Sequence, residues 1–222
     1  MKFYEILGIE KGITSIIGSG GKTTLINTLA KELSANNKVI ITTTTHIFPF
    51  DDFCVLKNPT FEDVRKSLEK TNAVCIGNVS ENGKLSKPDI SFVELKRLAD
   101  YVLVEADGSK NLPLKAHADF EPVIVKESDK TILVVGIDAV NKRVEDMVHR
   151  PEIFCDICGC KLTDFVTLEM IKKVIEKEHL ADMILINKAD GEIDIENANK
   201  LSKMLIQKTV ISSLKKGTIC LQ

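Results

Sequence analysis

Gly18-Ser19-Gly20-Gly21-Lys22-Thr23-Thr24 is the stretch on which the reading of this chain turns. It separates an apolar strand signal, Ile13 to Ile17, from a helix signal that runs from Lys22 to about Ser34. Glycines let a backbone turn tightly enough to aim several N–H groups at one point, and the start of the following helix adds its partial positive charge there. Such a turn suits an anionic phosphate. Lys22 is expected to reach terminal phosphates and the Thr23 hydroxyl to hold Mg²⁺, with Gly18, Ser19, Gly20, Gly21 and Thr24 completing the cradle. Strand, turn, lysine, threonine and helix follow in the order that a nucleoside triphosphate site requires, which a turn merely joining two elements need not reproduce.

The loop is a short form. The usual signature carries a glycine five residues before Gly21, where this chain has Ile16. The remaining pattern, Gly-x-x-Gly-Lys-Thr-Thr, resembles the loop of the Mur ligases and folylpolyglutamate synthases. That resemblance implies, as one reading, an ATP-dependent synthetase or transferase acting on a small molecule. One phosphate cradle serves many reactions, so the other motifs have to narrow the choice.

Strand and helix signals alternate along the chain, which predicts an α/β fold: a P-loop NTPase-like, three-layer arrangement around a mostly parallel central sheet. The 222 residues suffice for a single nucleotide-binding domain, with a small hairpin appendage around 74–86 where Glu81-Asn82-Gly83 marks a tight turn. Apolar residues make up 44% and charged residues 28%, ordinary for a globular protein, and a net charge of −2 advertises no basic surface for nucleic acid. No run approaches the roughly 18 apolar residues of a membrane span, and Met1-Lys2-Phe3-Tyr4-Glu5 lacks a signal-peptide core. The expected location is the cytoplasm.

After the first helix, a strand from Lys38 runs into Thr42-Thr43-Thr44-Thr45-His46. β-Propensity accounts for Thr42 and Thr43, while ligands in open α/β sheets bind beyond the carboxyl ends of strands, which favours a site role for at least one of the residues after them. Helices are expected over Phe61–Lys70 and Asp89–Ala99. The buried strand signal Tyr101 to Val104 then ends in Glu105-Ala106-Asp107-Gly108-Ser109. A carboxylate here is what Mg²⁺ and a polarised water need, supplied by Glu105 or Asp107, and Gly108 offers its N–H to the terminal phosphate. Thr23, Thr45 and Glu105 are the candidate Mg²⁺ ligands.

The polar, proline-punctuated residues 111–125 read as a loop, with Lys110, Lys115 and His117 expected within reach of the acidic turn. Arg150 is suited to pair with phosphate. His179, at the end of a helix from about Leu168, is expected to meet helix-end carbonyls. Six cysteines occupy positions 54, 75, 155, 158, 160 and 220. Cys155, Cys158 and Cys160 form a C-x-x-C-x-C cluster, but no second pair at matching spacing completes a zinc site. Pro151, the apolar face of Ile153, Phe154, Ile157 and Cys158, and Gly159 together read instead as a short helix with packed thiols.

A late strand, Met183 to Ile186, runs into Asn187-Lys188-Ala189-Asp190. Asn-Lys-x-Asp in this position is the guanine-reading motif of GTPases: asparagine on the base edge, lysine along the ring, aspartate accepting from guanine N1 and N2. GTP is therefore expected in preference to ATP. A helix over about Ile195–Lys208 and a strand at Thr209–Ser212 close the pattern.

Together, Gly18–Thr24, Thr42–His46, Glu105–Ser109, Leu112-Pro113-Leu114-Lys115-Ala116, Glu121-Pro122-Val123, His149-Arg150-Pro151-Glu152 and Asn187–Asp190 resemble the YqeC family over most of the chain. That resemblance implies an accessory protein for selenium-dependent molybdenum hydroxylases, with nucleotide, Mg²⁺ and a protein client, either the hydroxylase or its maturation factors. His117 and Phe120 depart from the family pattern, which has proline and histidine there, and the cysteine cluster lies outside it. Three uses of the nucleotide stay open: hydrolysis that assists cofactor insertion, activation of a small substrate, or gated binding without turnover.

Overall fold

The computed structural model describes residues 2–220; Met1 and the side chain of the sixth cysteine, Cys220, lie outside that description. In chain order the elements are α1 (Phe3–Ile6), β1 (Gly12–Gly18), α2 (Lys22–Leu33), β2 (Val39–Thr43), β3 (His46–Ile47), β4 (Cys54–Lys57), α3 (Phe61–Lys70), β5 (Ala73–Val79), β6 (Leu85–Ser86), α4 (Phe92–Leu98) and β7 (Tyr101–Glu105). There follow β8 (Leu114–Lys115), β9 (Lys130–Gly136), α5 (Val144–Met147), β10 (Val148–His149), α6 (Pro151–Cys158), α7 (Leu168–Glu178), β11 (Met183–Asn187), α8 (Glu192–Met204), β12 (Lys208–Ser213) and β13 (Thr218–Cys220). The fold is mixed α/β with mostly parallel strands, as the alternation predicts. The chain divides into two compact units, the first formed by residues up to 16, 25–107 and 123–131, the second by 17–24, 108–122 and those from 132 onward.

In the first unit β1, β7, β2 and β5 run parallel in that order, with β4 also parallel along β5. β1, β2 and β7 are buried throughout, which is why none of them shows the strict polar/apolar alternation of a half-exposed strand. Val64 and Leu68 of α3 and Phe92 and Leu95 of α4 join Ile13, Ile40, Val74 and Val102 in one core. Both helices begin at capping boxes. Asp63 N donates to the Thr60 hydroxyl while Thr60 N donates to the Asp63 carboxylate, and Ser91 and Glu94 repeat the exchange. The Ser91 cap starts α4 at Phe92, three residues later than Pro88 and Asp89 suggest. The hairpin of β5 and β6 turns through Asn82, whose φ is 56°, as the Asn-Gly step predicts.

In the second unit β9, β11 and β12 are parallel, and β13, which the sequence did not announce, adds an antiparallel edge. Phe154 of α6 and Ile171 and Ile175 of α7 meet Leu133 and Val135 of β9 around a residual cavity of about 20 Å³, roughly the space of one water. The Thr167 hydroxyl accepts from Met170 N at the start of α7, and Gly159, at φ 73°, ends α6. The segment expected to be a plain loop contains β8, which pairs in parallel with β10 and sets Lys115 opposite His149.

Candidate functional site

The glycine turn belongs to the second unit, and its shape is imposed by its neighbours. Gly20 has φ 92° and Gly21 φ 138°, a region that residues with a side chain rarely adopt. A Cβ on Gly20 would come within 2.6 Å of Gly136 N and 2.9 Å of Pro113 O, and one on Gly21 would collide with Asn187 Nδ2. Ser19 N donates to Val134 O (2.8 Å) and the Ser19 hydroxyl to Leu112 O, which fixes the entry to the turn. Lys22 is buried, its Nζ donating to Gly18 O (2.6 Å) and to Ser109 Oγ (3.2 Å). The acidic turn's last residue, Ser109, thus meets the loop lysine. Thr23 and Thr24 are exposed in the first turn of α2.

Asn187, at the end of β11, is 4% exposed and committed to the fold. Its Nδ2 donates to Gly20 O (2.7 Å), and its Oδ1 accepts from Leu214 N (3.0 Å) and Ser212 Oγ (3.2 Å). The amide thus ties the phosphate turn to the end of β12 and the residue after it, using one of the two N–H groups of Nδ2. Lys188, at φ 61°, pairs with Asp138 (Nζ to Oδ2 3.1 Å). The Asp190 carboxylate accepts from the Ser213 hydroxyl, and Ala189 N donates to Ser212 O (3.1 Å). Gly20, Gly21, Thr24, Lys188, Asp190 and Leu214 line a cleft of about 440 Å³ that also takes in Asp138 and Lys215. Asp138 Oδ1 is buried there with no hydrogen-bond partner among the described residues.

Asp138 and Ser212-Ser213-Leu214-Lys215 were not foreseen at this cleft. The available signal was two hydroxyls closing the buried end of β12 with a lysine two residues on.

Thr45, Glu105 and Asp107 lie in the first unit. Glu105 ends β7 between β1 and β2, in register with Ile16 and Thr43, and both acidic residues are buried. The threonine run is mostly structural. Thr42 Oγ1 donates to Ile76 O (3.0 Å), Thr43 Oγ1 to Glu105 O (2.7 Å) and Thr44 Oγ1 to Val123 O (2.7 Å). Thr45 N donates to Thr43 Oγ1 (2.9 Å), and the two hydroxyl oxygens are 3.3 Å apart. His46 is an exposed residue of β3.

Lys115 does reach the acidic turn, donating to Gly108 O (2.6 Å), but His117 turns to Glu178, with Nδ1 2.7 Å from Oε2. His179 caps α7 in a left-handed conformation; its backbone N–H meets a helix-end carbonyl, Ile175 O (3.0 Å), while its ring meets Gln207. Cys155 and Cys160 bring their sulfurs to 3.6 Å. Burial, and then the neighbouring thiols, push Cys155 up to about 12 and Cys158 up to about 11, the behaviour of packed thiols. Among the described residues no group of three or more His, Cys, Asp and Glu is arranged to hold a metal ion, and no helix is long and apolar enough to cross a membrane.

A family model described as "YqeC protein" matches residues 14–152, well over half of the chain. This chain belongs to the YqeC family. The "Uncharacterized protein YqeC" of Escherichia coli (strain K12) is 36% identical over 184 residues, covering 78% of this chain and 71% of that one. Among solved structures, the signal recognition particle 54 kDa protein of Aeropyrum pernix K1 in complex with GDP aligns at 16% identity and a TM-score of 0.43. That alignment covers 92% of this chain and 42% of that one, and a likeness of this size decides neither mechanism nor ligand. The YqeC match takes in the glycine turn, the acidic turn and the His149–Glu152 stretch, and stops short of Asn187–Asp190.

Proposed function

We propose that this YqeC-family protein binds a guanine nucleotide in the cleft beside Gly18–Thr24 and hydrolyses GTP with the help of Mg²⁺. The observation that carries the reading is the Asn187 tie, which holds the phosphate turn and the Ser212–Lys215 segment on either side of one cleft. Terminal phosphate oxygens suit Lys22, whose Nζ already takes oxygen acceptors from Gly18 and Ser109. A base rich in N–H groups suits a cleft holding the carboxylates of Asp190 and Asp138, the latter with an orphaned buried oxygen. Guanine offers N1–H and a 2-amino group, whereas adenine offers a bare acceptor at N1 and no 2-amino group.

Thr23, at the start of α2, is the candidate Mg²⁺ ligand next to the phosphates, and oxygen donors of its kind are what that ion selects. When bound, the ion would neutralise charge developing on the transferred phosphoryl group. Glu105 or Asp107 is proposed as the carboxylate that turnover requires, with Thr45 a further candidate ligand. Asp107 leads directly along the chain into Gly108 and Ser109. The family resemblance supports a cytoplasmic role in maturing a selenium-dependent molybdenum hydroxylase, with the hydroxylase or its maturation factors as client. The short loop keeps the synthetase or transferase reading as the second choice.

Competition titration with GDP and ADP tests the nucleotide. An unpaired buried acceptor costs about 1–3 kcal/mol, so at least a roughly tenfold preference for GDP is expected, and Asp190→Ala should erase it. Equal affinities in the wild type, or an unaltered preference in the variant, would return the reading to ATP.

A further inference from the structure

The second unit carries a cationic cluster that nucleotide binding leaves unused. In the parallel pair of β8 and β10, Lys115 lies opposite His149, and Arg150 follows it. The Lys115 side chain, 1% exposed, donates to Glu121 Oε2 at 2.8 Å, while Arg150 Nε donates to Glu121 Oε1 at 2.6 Å. One carboxylate therefore serves two cations, and Lys110 adds positive charge nearby. Burial first, and then Lys115 and Arg150, push the pKa of His149 down.

Arg150 is held in place on three counts. Its backbone is left-handed, at φ 63° and ψ 60°; its Nε is engaged by Glu121; and its guanidinium carbon lies 4.9 Å from the centroid of Phe120, an aromatic ring 71% exposed. Among the described residues nothing accepts from Nη1 or Nη2. A guanidinium fixed at Nε and along one face, with both terminal amino groups clear, forms a fork matched to two oxygens of one carboxylate or phosphate.

We propose that Arg150, flanked by His149 and the Phe120 ring, binds the carboxylate or phosphate of a second substrate, separate from the nucleotide. The exposed ring calls for an apolar or aromatic portion next to that group. Gly108-Ser109 links this subsite to the phosphate turn, since Gly108 O accepts from Lys115 and Ser109 Oγ from Lys22. Service as an acceptor in phosphoryl transfer rests on the nucleotide reading; oxyanion binding does not.

The probes are phenyl phosphate, benzoate and inorganic phosphate, titrated calorimetrically into the full chain saturated with GDP, so that the phosphate turn is filled. Phenyl phosphate or benzoate is expected to bind more tightly than inorganic phosphate, and which of the two wins tells phosphate from carboxylate. Arg150→Lys keeps the charge but loses the fork, and should weaken the better probe at least about tenfold with GDP affinity unchanged. Phe120→Ala, at an exposed position, should weaken the aromatic probes about threefold and leave inorganic phosphate alone. The same titration of nucleotide-free Lys22→Ala protein separates the two hypotheses: Arg150-dependent binding retained there upholds the subsite even if the wild type proves unable to bind GDP. No saturable binding of any probe, equal binding by wild type and Arg150→Lys, or binding lost in Lys22→Ala alone would overturn it.

Discussion

In the first unit the threonines at the end of β2 and just beyond it spend their hydroxyls on main-chain carbonyls, Thr42 on Ile76, Thr43 on Glu105 and Thr44 on Val123. In the second unit the turn that follows β1 is held from outside, by Asn187 on Gly20, by Val134 on Ser19 N and by Leu112 on the Ser19 hydroxyl. Both are polar stretches at the ends of buried strands, and both read in the sequence as sites. Their physics differs. A threonine can satisfy a neighbouring carbonyl with its own side chain and so stabilise the end of a sheet. A glycine has nothing to offer but backbone, and it loses more conformational freedom on folding than any other residue. Fixing three glycines at positive φ is costly unless their N–H groups are wanted by a ligand, so the externally braced turn is the better evidence of a site.

Asn187→Ala should break that bracing with the largest effect. It removes three hydrogen bonds and leaves Gly20 O and Leu214 N without the partner they have now, in a position 4% exposed. At about 1–3 kcal/mol for each buried group left unpaired, a loss of about 3–4 kcal/mol in stability is expected, together with much weaker GDP binding. Urea denaturation alongside GDP titration measures both. A variant of wild-type stability with only its base preference altered would mean that Asn187 acts on the base and not on the turn.

Glu105→Gln and Asp107→Asn come next. One of them should lower GTP turnover about a hundredfold while GDP affinity stays within about threefold, because a carboxylate that orients metal and water acts on the chemical step. Wild-type turnover in both would make the acidic turn structural, like Thr42, Thr43 and Thr44. Thr43→Val should sharpen the contrast from the other side. It deletes the donor to Glu105 O and the acceptor of Thr45 N, costing about 1–2 kcal/mol by thermal unfolding, with GDP affinity unchanged. A tenfold fall in affinity would move the threonine run into the site.

What could be read from the chain follows the same division. Elements whose residues state their own geometry were legible: the buried runs of β1, β2, β7 and β11, the capped helix α3, the Asn82-Gly83 turn and the Pro151-to-Gly159 helix all lie within a residue or two of where their patterns put them. The helix starting at Asp89 was misplaced because two adjacent start signals competed, and the Ser91–Glu94 box won. Facts that depend on long-range partners were not legible. Nothing local to Asn187 says that its amide will span to Gly20 and Leu214, and nothing near His117 announces Glu178. The pairing of β8 with β10, which assembles Lys115, His149 and Arg150, joins segments more than thirty residues apart.

The smallest effect belongs to the start of the strand that ends in the glycine turn. Asp129 accepts from Ile13 N (2.8 Å) and from Lys96 Nζ (2.7 Å), and it packs so closely on Gly12 that any Cβ there would collide with it. Lys96 first, then the Ile13 amide, hold its carboxyl below the ordinary range. A carboxyl whose folded pKa is depressed contributes stability that is present above its unfolded value, near 3.9, and is lost as pH falls through the folded value. Because the Asp129 and Lys96 side chains are each 42% exposed, solvent screens the pair, and about 0.5–1 kcal/mol is expected at pH 7. Asp129→Asn should therefore be less stable than wild type by that amount at pH 7. The gap should begin to close near pH 4, vanish as pH falls through the lower folded value, and narrow in about 0.5 M salt. Thermal melts of both proteins from pH 7 down to pH 3 measure it. A gap that persists unchanged at pH 3 would assign the effect to the altered hydrogen bond with Ile13 N and not to charge. A parallel fall in GDP affinity would show that bracing at the start of β1 reaches the turn at its end.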